Sequence, residues 1–230
     1  MEISVCPVPL ALRPEQLDRA TAVVIDVLRM TSVAVTALSH GCAGILAVET
    51  VEEARAEAAS HGALLGGERG AVRIDGFDLD NSPLNYTAER VSGRRLVMTT
   101  SNGTRALAAA RLADRVLLAG FLNASAVARA LAGAEKVCIL CAGTNGGFSL
   151  EDALAAGAIL ERLPGAAPDD MALASLRLYR QSRGDLKAAL AETLHFGRLR
   201  RLGFEADLDY CLCEDTLGAV PERGADGWIR

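Results

Sequence analysis

The stretch Ala22-Val23-Val24-Ile25-Asp26-Val27 constrains this chain more than any other. It is a continuous apolar run that ends in an acid, the pattern of a strand buried on both faces of a sheet. Such a strand needs helices above and below it. Residues 31–38 read as a helix that Thr31 or Ser32 can cap. Strands at 44–48 and 63–67 flank a helix over 51–60 that Thr50 caps. The alternation resumes with strands at 95–99, 116–119 and 137–141. Helices over 103–111, 124–131 and 150–163 follow them. Residues 75–87, rich in Gly, Asp, Asn and Pro, read as a loop with at most one short helix. This repetition predicts an α/β fold: three-layer α/β/α, with a mostly parallel or mixed sheet and right-handed crossovers. Beyond Pro164, residues 169–181, 185–194 and 196–202 read as extra C-terminal helices. Residues 205–213 read as a last strand, and the stretch from Glu222 as a frayed tail. A chain of 230 residues suits one domain, 1–230, with the turn at 164–168 as its best internal boundary.

Charge and cysteine usage narrow the partners. Lys and Arg number 24 against 29 Asp and Glu, a net charge of −5, which argues against bulk attraction to nucleic acid or to an acidic membrane. An anionic ligand must then be held by local groups. The start of the chain lacks the basic and apolar regions of a signal peptide, and the longest uncharged run, 30–48, carries Thr, Ser, His and Gly. A cytoplasmic protein with six thiols is expected. Cys138 and Cys141 form a CxxC, but on a strand their side chains would point to opposite faces, so buried thiols are favoured over a zinc site. There is no GxxxxGK[ST], no GxGxxG after a strand and no GxSxG. The three histidines lie far apart and suggest no phosphohistidine. A symmetric homo-oligomer is the expectation for a sheet enzyme of this size.

The chemistry is expected beyond the carboxyl ends of the strands. Asp26 and Arg29 follow the first long strand, and Gly67-Glu68-Arg69-Gly70 follows the third. Thr100-Ser101-Asn102-Gly103-Thr104-Arg105 opens a helix, where free N–H groups and the helix dipole favour a phosphate. An ordinary capped helix start would look similar. The segment from Gly143 and Thr144 to Ser149, before Glu151 and Asp152, invites the same two interpretations. Asp26, Glu68, Glu151 and Asp152 beside these loops suggest Mg²⁺, a hard ion that prefers oxygen ligands. Each acid alone could also cap a helix or pair with an arginine. Arg29, Arg69 and Arg105 could offset a substrate with several negative charges.

With these stretches in view, the chain resembles the 2-phosphosulfolactate phosphatase family. The resemblance runs through Val24-Ile25-Asp26-Val27-Leu28-Arg29-Met30-Thr31-Ser32, Gly67-Glu68-Arg69-Gly70 and Gly76-Phe77-Asp78-Leu79-Asp80-Asn81-Ser82-Pro83. It continues in Thr99 to Leu107, Leu140 to Thr144, Phe148 to Asp152, and Asp209, Cys211 and Asp215. The family pattern has Ala at Met30, Gly at Asp80 and Thr at Ser101. The resemblance implies a Mg²⁺-dependent phosphatase converting (2R)-2-phospho-3-sulfolactate to 3-sulfolactate and phosphate, a step of coenzyme M biosynthesis in methanogens. On that basis Asp26, Arg29, Glu68 and Arg105 are the candidate catalytic residues. Arg69, Thr100, Ser101, Asn102, Gly103, Thr104, Gly143, Thr144 and Ser149 are candidates for holding the substrate. Asp26, Glu68, Glu151 and Asp152 are the candidate metal ligands. Attack by water on the phosphorus is favoured over a phosphoryl group carried on Asp26. Two alternatives stand beside this: a phosphatase or lyase for another small phosphorylated hydroxy acid, and a non-catalytic anion-binding module.

Overall fold

A computed structural model describes residues 1–230. In chain order the strands are β1 (Glu2–Cys6), β2 (Thr21–Ile25), β3 (Gly44–Ala47), β4 (Leu64–Arg69), β5 (Val72–Arg73), β6 (Arg95–Thr99), β7 (Arg115–Ala119), β8 (Lys136–Cys141) and β9 (Ala167–Pro168). The helices are α1 (Pro14–Leu17), α2 (Met30–Ser39), α3 (Val51–His61), α4 (Ala88–Val91), α5 (Gly103–Ala110), α6 (Ala124–Ala130), α7 (Leu150–Glu161), α8 (Asp170–Ser182), α9 (Leu186–Leu190), α10 (Leu194–Arg201) and α11 (Glu205–Cys211).

The α/β alternation holds, and the strands fall into two sheets. One is all parallel in the order β7-β2-β8-β1-β9. The other, β3-β6-β4-β5, is parallel except for the short β5 at its edge. Helices lie on both faces of each sheet. Val23 and Ile25 of β2 join α6, α7 and α8 in one core, while Ala22 and Val24 of the same strand face α2 and α5. That second core also takes in Ile45, Leu96 and Met98, so α2 and α5 are shared between the sheets. On the far side of the smaller sheet, Val97 meets Ala54 and Ala58 of α3. The period-two alternation also separates the CxxC thiols, with Cys138 in the middle core and Cys141 in the outer one. All six cysteines are free.

Three segments differ from the sequence expectation. Residues 2–6 form β1, between β8 and β9, and Glu2 and Ile3 pair with Ala167 and Pro168. Residues 205–211 are helical rather than extended. Their buried residues are Asp207, Leu208 and Cys211, spaced for one helix face rather than one strand face. The stretch from Glu222 is not frayed. Pro221 accepts from the Leu118 amide on the outer edge of β7, and Ile229 exchanges two backbone hydrogen bonds with Ile45 on the outer edge of β3. Residues 221–230 therefore clasp one edge of each sheet. No helix is long and apolar enough to cross a membrane.

Candidate active site

The carboxyl ends of β2 and β8 from one sheet, and of β4 and β6 from the other, converge on one cavity. Asp26, Leu28 and Arg29 line it after β2, and Thr144 and Asn145 after β8. Glu68, Gly70 and Ala71 come from the end of β4, and Ser101 and Asn102 from the β6–α5 loop. Asn81 and the α10 residues His195, Arg198 and Leu199 complete the lining. This is the position that parallel strand topology gives a ligand.

The loop that carries Asp26 is held rigidly. Thr31 Oγ1 donates to the Asp26 carbonyl at 2.8 Å and accepts from the Asp26 amide at 3.0 Å. Ser32 Oγ donates to the Val27 carbonyl at 2.8 Å. Thr31 and Ser32 do not cap α2, which begins at Met30 with no side-chain cap; their hydroxyls instead fix the backbone of the loop before it. The Asp26 side chain lies against the first residue of α5: a Cβ on Gly103 would sit 2.4 Å from Asp26 Oδ2. Only glycine lets the helix start approach the carboxylate so closely. Asp26 is buried, and no side chain donates a hydrogen bond to it; the Met30 amide is its one backbone donor. Burial pushes its carboxyl up to about 7. The nearby His195 opposes that shift, and Glu68 and Glu151 add to it.

Asp152 and Glu68 act differently. Asp152 Oδ1 accepts from the Val27 amide at 2.9 Å and Oδ2 from the Gly143 amide at 3.0 Å. It ties the β2–α2 loop to the β8–α7 loop. Burial, with Glu151 and Asp26 close by, pushes its carboxyl well above the usual range, while the two amides work against that. Glu68 joins two loops of the other sheet, accepting from the Ser101 and Ala71 amides, each at 2.7 Å.

Arg29 is buried in an ion pair with Asp207 of α11 and lies over the Phe204 ring, 4.0 Å from its centroid. Ser82 Oγ donates to the other Asp207 oxygen at 2.7 Å. Nη1 alone of the Arg29 nitrogens has a protein hydrogen-bond partner. On the opposite wall Thr144, Ser149, Glu151 and His195 form a network. Ser149 Oγ lies 2.7 Å from Thr144 Oγ1 and donates to Glu151 Oε1 at 3.2 Å. His195 Nδ1 lies 3.1 Å from Glu151 Oε1 and 3.0 Å from Thr144 Oγ1. A carboxylate acceptor at Nδ1 places the proton of the neutral ring there and leaves a lone pair on Nε2. Sequence reasoning missed His195, whose partner stands 44 residues earlier.

The other expected residues divide. Ser101, Asn102 and Thr144 line the cavity. Thr100 and Thr104 are buried and bond to each other at the start of α5, with Thr104 Oγ1 donating to the Thr100 carbonyl at 2.9 Å. Their hydroxyls are used within the β6–α5 segment, while the N-cap position of α5, Asn102, has no side-chain cap bond. Gly143, at φ +67°, makes a tight turn in which a Cβ would meet the Gly147 carbonyl at 2.3 Å. Arg69 and Arg105 are placed away from the cavity. Arg69 donates to the Glu68 and Glu49 carbonyls and to Thr99 Oγ1, so its guanidinium braces the backbone. Arg105 is exposed on α5, because the residues on either side of it, Thr104 and Ala106, face inward.

Five carboxyls around this cavity are buried, those of Asp26, Glu68, Glu151, Asp152 and Asp207, against one buried arginine, Arg29. No three His, Cys, Asp or Glu side chains form a metal-binding group. Mg²⁺ needs only one or two carboxylates and keeps its waters. The donor set fits such an ion at Asp26, which no side chain satisfies. It also fits at Asn81, a buried lining residue whose Oδ1 has no hydrogen-bond partner.

Residues 6–225 match the model of the 2-phosphosulpholactate phosphatase family. A protein of Symbiobacterium thermophilum named probable 2-phosphosulfolactate phosphatase is 47% identical over 217 residues, covering 90% of this chain and 92% of that one. Proteins of the same name from Caldicellulosiruptor saccharolyticus and Gloeobacter violaceus are 44% and 42% identical, covering 90% and 99% of this chain and 90% and 97% of their own. With the β2, β4, β6 and β8 loops assembled as described, the chain belongs to the 2-phosphosulpholactate phosphatase family.

Proposed function

We propose that this cavity hydrolyses (2R)-2-phospho-3-sulfolactate to 3-sulfolactate and inorganic phosphate, with Mg²⁺ held at Asp26. The carrying observation is Asp26 itself: a buried acid, close against the start of α5, with no side-chain donor and a carboxyl pushed up to about 7. A buried carboxylate with so little compensation is costly unless a cation meets it. The substrate carries phosphate, carboxylate and sulfonate, and whichever of the acids around the cavity are ionised would repel it without that cation. When bound, the ion neutralises charge on the phosphoryl oxygens and activates water.

The chain's own residues supply the rest. The uncommitted N–H groups of Arg29 and the lining residues Ser101 and Asn102 orient the phosphoryl group. Asp207 and the Phe204 ring hold the Arg29 guanidinium in place. His195 Nε2 is the atom placed to take a proton from the attacking water or to give one to the departing alkoxide, while Glu151 fixes the ring through Nδ1. Asp152 and Glu68 hold the four loops in register.

The test is phosphate release from 2-phosphosulfolactate by EDTA-treated protein, with and without added Mg²⁺, together with the Mg²⁺-induced rise in Tm. Activity that returns with Mg²⁺, and a Tm rise that Asp26→Asn abolishes, support the proposal. Full activity after EDTA removes the metal from it. Turnover of other phosphomonoesters but not of this one removes the substrate.

A further inference from the structure

Arg198 is the one lining cation without an acidic partner. Only Arg29 and Arg198 bring a guanidinium to the cavity. Arg29 is buried and already paired with Asp207. Arg198 makes no ion pair with any carboxylate; its protein contact is a hydrogen bond from Nη2 to the Gly70 carbonyl at 3.0 Å. That carbonyl belongs to the turn between β4 and β5, where Gly70 has φ +64°. The turn is itself fixed by Glu68, which accepts from the Ala71 amide.

Placement on α10 adds direction. His195, Arg198 and Leu199 are at i, i+3 and i+4, and all three line the cavity. His195 is half-buried against Glu151, while Arg198 is exposed at the mouth. A substrate whose phosphoryl group lies between Asp26 and His195 shares its cavity with Arg198, one turn further along α10. A guanidinium with one donor anchored and the others free is suited to a forked contact with a planar or tetrahedral oxyanion.

We propose that Arg198 is a specificity-determining residue: it recognises a second acidic group, a carboxylate or a sulfonate, on the carbon skeleton of the phosphate ester. This rests on the phosphatase reading of the cavity and adds which residue reads one of the substrate's other acidic groups. The contact is made equally in the ground state and the transition state, so its loss raises KM more than it lowers kcat. Arg198 is exposed and anchored to a single carbonyl, so substitution leaves the fold in place.

The experiment compares wild type with Arg198→Gln and Arg198→Lys on three phosphate esters. These are 2-phosphosulfolactate, with both acids; 2-phospholactate, with the carboxylate alone; and glycerol 2-phosphate, with neither. For Arg198→Gln we expect kcat/KM on the acidic substrates to fall about tenfold more than on glycerol 2-phosphate, from loss of one charge-assisted hydrogen bond. Arg198→Lys should recover part of the difference. A larger loss on 2-phosphosulfolactate than on 2-phospholactate assigns the contact to the sulfonate; equal losses on these two assign it to the carboxylate. Equal losses on all three esters overturn the proposal. If wild type does not use 2-phosphosulfolactate, the phosphatase reading fails in its substrate, and the ratio between the other two esters still decides the role of Arg198. Titration calorimetry with sulfolactate covers a protein that turns over none of them. Weaker binding to Arg198→Gln than to wild type supports the proposal, and equal binding or none to wild type overturns it.

Discussion

The β2–α2 and β8–α7 connections leave neighbouring strands of one sheet, and each leads to a buried aspartate, Asp26 in the first loop and Asp152 in the first turn of α7. Asp152 receives a backbone N–H on each carboxylate oxygen. Asp26, across from it, has only the Met30 amide and lies against the glycine that opens α5. The difference separates a brace from a site. A buried acid whose lone pairs are filled by its own chain holds the fold. One that the chain leaves open is held for something else.

The first way to break this comparison is to remove the charge from Asp26. Asp26→Asn keeps the volume, so the fold should stand while kcat/KM for phosphate release falls at least about a hundredfold, the scale of losing one charged contact to a reacting group. Near-normal turnover would make Asp26 another brace. Asp152→Ala should do the reverse. It leaves the Val27 and Gly143 amides unpaired in the interior, at a cost of about 2–5 kcal/mol, so thermal denaturation should show a Tm lower by roughly 5–15 °C. A variant as stable as wild type would mean that the loops are held by other bonds.

A pH titration sharpens the contrast. An aspartate in the unfolded chain titrates near its ordinary value of 3.8, but in the fold Asp26 is pushed up to about 7. Between those values the folded protein holds a proton that the unfolded chain gives up. Without Mg²⁺, stability should therefore fall as pH rises through that window, by up to about 4 kcal/mol from this group. Asp26→Asn removes this group's share of the fall and leaves that of Asp152, so in metal-free buffer it should be more stable than wild type at pH 8 and closely similar at pH 4. Parallel Tm curves for the two proteins would contradict the shift. The smallest effect is expected at Arg105. It is exposed and outside the cavity, so Arg105→Ala should change kcat/KM by less than about twofold, within the usual range for a surface substitution.

How much of this could be read from the sequence depends on the distance over which each feature is decided. β2, β6 and β8 are apolar runs followed by polar loops, and α3 announces itself with Thr50 at its cap; these features are local. The four loops were visible for the same reason, and so was the separation of Cys138 from Cys141. The division into two sheets depends on which strands bond to which, and neighbours such as β3 and β6 are far apart in the chain. Residues 205–211 alternate enough to resemble a strand until Arg29 and Ser82 are seen meeting Asp207. His195 and Arg198 were hidden because α10 crosses from the C-terminal region to close a cavity built by loops before residue 150. Arg69 and Arg105 drew attention through the motifs around them, yet a motif fixes the backbone and leaves the direction of each side chain to packing.

The clasp formed by residues 221–230 has a consequence for how the protein stays in solution. An outer strand carries a row of unused backbone donors and acceptors, which can recruit a strand from another molecule. Here one segment shields part of β7 in the larger sheet through Pro221 and part of β3 in the smaller one through Ile229. A single loosening of that segment would uncover sticky borders on both sheets together, linking two separate routes to self-association through one peptide of ten residues.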